Sequence, residues 1–439
     1  MQALLAPLQE LAEFDSIRKA VAGGHASVAL TGCVDSQKLH IIYGISDGLK
    51  CKVIVTYSDV KAKELFEEYK FYDRNVMLYP AKDLIFFQAD IHGNQLVRER
   101  VKTLRRLMER KPVTIVTTYA ALMTPQALWD REKDILDVER GGSLQEKALV
   151  EKLVSMGYEK CYQVESPGQF SVRGGIVDIF DLTEENPYRI ELWGDEVESI
   201  RSFDVLSQRS VEKLSDITIY PAGEMLLSGE RLKRGMDKIE KEGAEFEQRL
   251  RGEFHTEEAH RIAAQIRELS EQVHEFRNLV NLDSYVHYFY EDTVSFLELF
   301  DRERTCIFVD EPARVNEHAQ AVELEFRESM MHRVEKGYLL PGQMELLYST
   351  EEVAARMEQN RLVTLSALDM KNTLFKADRK ADIPVKSISS YNNSFEALVQ
   401  DLKRYKKNGY RILLLSGSRT RAQRLAGDLR EEELTAFYT

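Results

Sequence analysis

The chain has 439 residues, a formal net charge of −13, and 43% hydrophobic and 30% charged residues. That length exceeds one ordinary domain, so about three domains are expected, each able to bury its own core. The acidic balance excludes duplex DNA or an anionic membrane as the main partner of the whole chain, because such affinity rests on clustered Lys and Arg that neutralise phosphates.

Residues Met1 to Ala22 pattern as helix, stopped by Gly23-Gly24. A strand over Ala26 to Thr31 leads into Gly32-Cys-Val-Asp-Ser-Gln37-Lys38-Leu39 and a helical run. That order, with Gly32 and Lys38, has the spacing of a phosphate-binding P-loop, GxxxxGK[ST]. Gln37 replaces the second glycine, whose missing Cβ lets the backbone close around phosphates, and Leu39 replaces the hydroxyl that would hold Mg²⁺. A nucleotide loop and a loop kept only for its backbone path are both readings of this stretch, and the two replacements favour the second.

Strands at Val53 to Tyr57, Val76 to Tyr79 and Val113 to Thr118 alternate with helices at Asp59 to Tyr69 and Gln95 to Arg110, the order of a parallel α/β sheet. The second helix carries Arg98, Arg100, Lys102, Arg105, Arg106 and Arg110, interrupted by Glu99 and Glu109, and reads as a solvated face rather than a nucleic-acid contact. Pro125 to Asp134 leads out of the sheet, and Leu144 to Met156 is an amphipathic helix.

Between Gln169 and Phe180 a strand pattern is broken by Gly174-Gly175, a pair suited to a bend or turn with φ > 0. From Tyr188 to Trp193 the alternation places Tyr188, Ile190 and Leu192 on one side and Arg189, Glu191 and Trp193 on the other. Gly194-Asp195 turns the chain into a returning strand, Glu196 to Phe203. The result is a small antiparallel sheet with one apolar face and one face carrying arginine and tryptophan. An exposed Arg beside an aromatic is the composition of interface hot spots. In the competing reading Trp193 packs against this chain and Arg189 pairs with Glu191 or Glu196. Arg201 and Arg209 read as structural ion-pair partners. Ile217 to Tyr220 is a strand that returns the chain to the larger domain.

Ser228 to Leu279 is helical in composition, weakened by Gly235, Gly243 and Gly252, and its His255, His260 and His274 lack the i,i+4 spacing of a metal pair. The apolar strand Cys306 to Asp310-Glu311 copies a Walker B strand, in which the Asp would hold Mg²⁺ and the Glu would polarise water. With Leu39 in place of the hydroxyl, a structural vestige is expected. A Pro-Gly-Gln turn (Pro341 to Gln343) and a helix (Thr350 to Asn360) precede a last α/β unit. It comprises strand Leu362 to Leu365, helix Ser394 to Asn408, strand Tyr410 to Leu415 and helix Thr420 to Glu433, with Ser416-Gly417-Ser418-Arg419 as a strand-to-helix turn. Cys33, Cys51, Cys161 and Cys306 show no CxxC or Cys/His spacing, which fits small reduced core thiols and gives no zinc site. No apolar run approaches the ~18 residues of a membrane span, and the acidic N-terminus (Glu10, Glu13, Asp15) lacks a signal-peptide pattern, so a cytoplasmic location without a membrane partner is expected.

The runs PGQFSVRGGIVDIF, YRIELWGDEVESIRSFD and SQRS resemble the signature shared by the excinuclease subunit UvrB and the N-terminal module of bacterial transcription-repair coupling factors, the latter being the closer match. PAKDLIFF with LVRERVKTLRRL, then FVDEPARV, LPGQMELL, LVTLSAL, FEALVQDLKRY and GYRILLLSGSRTRAQRL extend the resemblance over nearly the whole chain. It implies an α/β fold: a degenerate P-loop, helicase-like (UvrB-like) parallel sheet domain, an inserted small α+β domain and a C-terminal small α/β domain. The implied boundaries are 1–125 (domain 1a), 126–212 (domain 2), 213–348 (domain 1b) and 349–439 (domain 3).

By the same resemblance, domain 2 recruits UvrA to stalled transcription complexes through Arg173, Arg189 and Trp193, the last standing where the family commonly has another aromatic. Gly32, Gln37, Lys38, Leu39, Asp310 and Glu311 would form an inactive nucleotide site, so no catalytic residue, metal or cofactor is expected in this chain. No Tyr-rich insertion matches UvrB's DNA-clamping hairpin, so damage verification is not expected. RNA polymerase and DNA would be engaged, and ATP and Mg²⁺ used, by regions absent here. The C-terminal domain of longer members covers the UvrA-binding face, which implies an open face in this chain. The alternatives are an active UvrB-type ATP-dependent DNA-binding enzyme and a purely autoinhibitory scaffold.

Overall fold

The computed structural model describes residues 2–24, 27–82, 93–226, 229–274, 282–370, 374–383, 385–386, 388 and 390–438. The end of the PAKDLIFF run and the residues 228 and 275–279 of the expected helical stretch lie outside the described residues. The first helical run is two helices, Gln2–Gln9 and Phe14–Ala22, the second burying Phe14, Ile17 and Val21 from one stripe. Strands β1 (Ser27–Thr31), β2 (Cys51–Thr56), β3 (Val76–Tyr79) and β4 (Val113–Thr118) then alternate with helices Asp35–Ile45, Asp59–Tyr69 and Gly93–Met108. A short β5 (Pro125–Ala127) leads to β6 (Leu136–Glu139), helix Glu146–Ser155, β7 (Glu159–Lys160), β8 (Gln169–Arg173), β9 (Ile176–Ile179), β10 (Tyr188–Trp193), β11 (Glu196–Phe203), β12 (Ser210–Leu214) and β13 (Asp216–Ile219). Helices Gly229–Gly252 and Thr256–His274 follow, then β14 (Thr293–Ser295), β15 (Thr305–Asp310), helix Pro312–Glu335, helix Thr350–Glu358, β16 (Arg361–Leu365) and β17 (Arg379–Asp382).

The large sheet has the order β17-β1-β16-β15-β2-β4-β3, and every neighbouring pair is parallel. Its central strands are continuous apolar runs such as Val53-Ile54-Val55 and Cys306 to Val309, all fully buried, because helices cover both faces of a parallel sheet. A second sheet, β12-β11-β10-β9-β8-β7, is antiparallel except for the β7–β8 edge. Its inner face (Phe170, Val177, Ile179, Ile190, Ile200) packs on Leu149 and Leu153 of helix Glu146–Ser155 and on Ile217 and Ile219 of β13. The other face is turned away from that core. The parallel α/β sheet and the small sheet domain inserted in it are the expected fold.

Several strand pairings run across the expected boundaries. β5 pairs with β14, so the start at 126 cuts into a ladder of the first domain, and the end at 212 falls inside β12, which is hydrogen-bonded to β11. The strand expected to open the last domain is β16, which lies between β1 and β15 in the large sheet. By compactness the chain forms two units, Met1–Pro384 and Val385–Thr439. In the second unit, helices Phe395–Lys407 and Arg419–Glu431 share a core of Val399, Leu402 and Leu429, joined by Leu434 from the chain after the second helix. Tyr410 to Leu415, expected as a strand, has no regular secondary structure and no ladder partner among the described residues.

Two further expectations change for packing reasons. The helix runs unbroken through Gly235 and Gly243, and each marks a close approach: a Cβ at Gly235 would lie 2.1 Å from the Phe289 ring, and one at Gly243 2.0 Å from the Ile266 Cδ1 methyl. The basic helix is not a solvated face. Arg98 donates to the Glu184 carbonyl (3.1 Å), Arg105 pairs with Glu184 (2.6 Å) and lies over the Tyr220 ring (4.6 Å), and buried Arg100 pairs with Glu224 (2.7 Å). Arg98, Arg100 and Arg105 thus join the chain of the inserted domain to the large sheet, and for Arg100 and Arg105 a carboxylate compensates the charge as burial requires.

Candidate docking face

The outward face of the small sheet follows from strand alternation and register. Gly174 (φ +56°) and Gly175 (φ +82°) form a tight turn between β8 and β9, both in the left-handed region that such hairpin turns need. That turn sets Ser171 opposite Asp178 and Arg173 opposite Ile176, while β10 sets Arg189 opposite Asp178 and Glu191 opposite Ile176. On the far side, Arg189 faces Arg201 across the β10–β11 ladder. Arg173, Asp178, Arg189, Glu191, Arg201 and Trp193 thus share one face, as the alternation in Tyr188 to Trp193 predicts.

The three residues singled out in the sequence differ in their surroundings. Trp193 is 79% exposed at the end of β10, which removes the reading in which it packs on its own chain. Arg173 keeps its side chain 41% exposed, and one guanidinium nitrogen donates to Asp178 Oδ2 at 3.2 Å. Arg189 is only 15% exposed: Nε donates to Asp178 Oδ1 (2.6 Å), and one terminal nitrogen donates to Asp178 Oδ2 (2.8 Å) and Gln208 Oε1 (3.0 Å), with the guanidinium over the Phe203 ring at 4.2 Å. Its partner is therefore Asp178 and neither Glu191 nor Glu196. Bonds to the Asp178 carboxylate, more than offsetting burial, raise the Arg189 pKa further. Glu191 instead accepts from Ser199 (2.6 Å) and pairs with Arg201, which makes Arg201 the structural ion-pair residue it was expected to be.

Asp178, Gln208, Phe203 and the 83% exposed Tyr162, 6.0 Å from the Arg173 guanidinium, escaped the sequence reading. Asp178 left one signal: a carboxylate at an outward position of the apolar run Ile176 to Phe180 needs a cationic partner. Which cation it meets depends on the register of strands 11 residues apart.

The P-loop-like stretch has a different character. Gly32 (φ +77°) runs against the chain after β17, where a Cβ would sit 2.6 Å from the Ile383 carbonyl oxygen. Leu39 is buried in the core, and Gln37 leaves its buried Oε1 without a partner. Lys38 Nζ reaches Asp310 Oδ1 at 2.7 Å and Glu311 Oε1 at 2.6 Å. Asp310 Oδ2 accepts from Thr56 (3.0 Å), and Glu311 Oε1 also accepts from the Ala367 amide (2.9 Å). Burial alone would lower the Lys38 pKa, but Asp310 and Glu311 raise it above the ordinary lysine value. Glu311 adopts a left-handed backbone (φ +52°), a conformation that costs a non-glycine residue about 1–2 kcal/mol and is held here by these bonds. The lysine that a P-loop would offer to phosphates is thus paired with the two carboxylates that a Walker B strand would offer to a metal, and Leu39 stands where the hydroxyl would be. Among the described residues no cluster of three or more His, Cys, Asp or Glu is placed to hold a metal, and no helix is long and apolar enough to cross a membrane.

Residues 136–225 match the family model of the UvrB interaction domain. The chain is 30% identical over 371 residues to the transcription-repair-coupling factor of Bacillus subtilis (strain 168), a match covering 84% of this chain and 31% of that protein. It is 26% identical over 430 residues to the Staphylococcus aureus (strain Mu50) protein of the same description, covering 94% of this chain and 35% of the relative. For Staphylococcus epidermidis (strain RP62A) the figures are 27% over 426 residues, 93% and 34%. The chain spans about a third of the length of these relatives.

Proposed function

We propose, for a chain that belongs to the transcription-repair-coupling factor family and carries a UvrB interaction domain, that the outward face of its small sheet docks the repair protein UvrA and that the chain itself turns over no nucleotide. The observation that carries this reading is Trp193: an aromatic left 79% exposed on the same sheet face as the partly exposed Arg173, the other face of that sheet being committed to its core. Such a pairing is enriched where partners bind, and truncating a residue of this kind typically costs ~2 kcal/mol or more of binding. The internal pairing of Lys38 with Asp310 and Glu311 supports the second half of the reading, because the residues that would handle Mg²⁺-ATP are engaged with one another. Recruitment of UvrA to stalled transcription complexes follows from the same reading as the role of this part of the family.

The test is capture of UvrA by the chain carrying Arg173→Ala, Arg189→Glu and Trp193→Ala together. Loss of capture with an unchanged unfolding midpoint is expected. Capture equal to that of the unsubstituted chain, with the fold intact, sinks the reading.

A further inference from the structure

The two compact units differ in the sign of their charge. Val385–Thr439 carries ten Lys and Arg against six Asp and Glu, a net +4, which leaves −17 for Met1–Pro384 out of the total of −13. Positive charge gathered in one small unit of an acidic chain is the footprint of a surface that meets a polyanion. Within the unit the surplus has a definite place. Lys403 pairs with Glu432 (3.2 Å) and Arg404 with Asp401 (2.7 Å), so these cations of helix Phe395–Lys407 are compensated inside the unit. Arg419, Arg421 and Arg424 lie in the N-terminal half of helix Arg419–Glu431, away from its acidic end, and all three are exposed. Among the described residues none of them forms an ion pair, although Glu396 and Asp428 belong to the same unit. Arg421 and Arg424, three residues apart, are neighbours on the helix surface and repel each other. Arg419 and Arg421 stand in the first turn, which has no acidic residue and where the helix dipole disfavours cations. Folding gains nothing from this placement, so the anion that justifies it comes from outside the unit.

We propose that this arginine surface binds the phosphate backbone of duplex nucleic acid, without reading its sequence. Its exposed donors, three guanidiniums and the Thr420 hydroxyl, are of the types that meet phosphate oxygens. The helix exposes no large apolar side chain on which a protein partner would anchor. The acidic remainder of the chain repels the same ligand, which confines the contact to this unit. The proposal is independent of UvrA docking, which the small sheet of the other unit would carry.

The experiment is fluorescence anisotropy of the full chain with a labelled duplex DNA of mixed sequence across a salt series, with thermal unfolding as the check on the fold. Arg419→Gln, Arg421→Gln and Arg424→Gln together should weaken binding at low salt by about tenfold or more, and make the log–log salt slope shallower by about 2.7, at about 0.9 for each phosphate released. The three Arg→Lys changes, which keep the charge, should stay within about threefold of the unsubstituted chain. Lys403→Gln, Lys406→Gln and Lys407→Gln together remove the same charge from the other helix and should alter the slope by less than about 1. If the triple Arg→Gln variant does not hold its fold, the single variants replace it, each expected to lower the slope by about 0.9. Equal losses in the two triple variants would reduce the effect to net charge and overturn the proposal. So would absence of binding at low salt, binding unmoved by the Arg→Gln changes, displacement of the duplex by poly-glutamate at matched charge, or tighter binding to anionic lipid vesicles than to the duplex.

Discussion

Arg100 and Glu224, 124 residues apart, meet in a buried fork, Nε to Oε1 at 2.7 Å and a terminal nitrogen to Oε2 at 3.0 Å. Arg100 also donates to the Pro80 carbonyl at 2.7 Å, and Lys82 approaches Glu224 at 3.3 Å, so one cluster joins β3, the basic helix and the chain leaving the inserted domain. Burial pushes the Glu224 carboxyl up, but Arg100 and Lys82 more than reverse this and leave it at about 2, below the ordinary 4.5. A carboxyl lowered in the folded state stabilises the fold above its unfolded value and loses that contribution as pH falls through the folded one. The unsubstituted chain should therefore lose stability on the order of 3 kcal/mol from this group between pH about 4.5 and about 2. Glu224→Gln should unfold at lower temperature near neutral pH, and its deficit should shrink across that window. A deficit independent of pH would contradict this assignment.

Lys38→Ala leaves Asp310 and Glu311 buried without their cation, and breaking such a group typically costs 3–5 kcal/mol. A marked fall in the unfolding midpoint is expected from calorimetry. Mg²⁺-ATP should leave the midpoint of the unsubstituted chain unmoved, since a ligand at a hundred times its dissociation constant would add about 2.7 kcal/mol. A rise in that midpoint would restore the nucleotide-enzyme alternative.

Arg105→Ala removes the pairs with Glu184 and Asp181 and the stacking on Tyr220 that hold the inserted domain to the basic helix. Amide hydrogen exchange should accelerate at residues 181–184 and 219–220 while β2 and β15, deep in the large sheet, keep their protection. Uniform acceleration across both would show that Arg105 supports global stability and not this junction.

The helix glycines give a contrast within one element. Gly235→Ala and Gly243→Ala each place a methyl into occupied space, against Phe289 and Ile266, and should destabilise by about 1–3 kcal/mol. Gly252→Ala meets nothing within 4 Å and should stabilise by up to about 0.5–1 kcal/mol, the ordinary gain in helix propensity. Chemical denaturation of the three variants tests the difference in sign.

The strands at Val76–Tyr79, Val113–Thr118, Tyr188–Trp193 and Glu196–Phe203 were legible in the sequence, because a short apolar run in the first two, a period of two in the others, and the turns that bound them are local properties of the chain. The same alternation placed Trp193 outward, and the residues at 37 and 39 already marked the loop as unlike a nucleotide site. Tertiary structure alone decided that Asp178 is the partner of Arg189, that Lys38 closes on Asp310 and Glu311, that the arginines of Gly93–Met108 clamp the inserted domain, and that β16 lies between β1 and β15. Each of these is a pairing between residues distant in the chain. A charge or an apolar run announces that it needs a partner, but which partner it meets is fixed only when strand register and domain packing bring the two together.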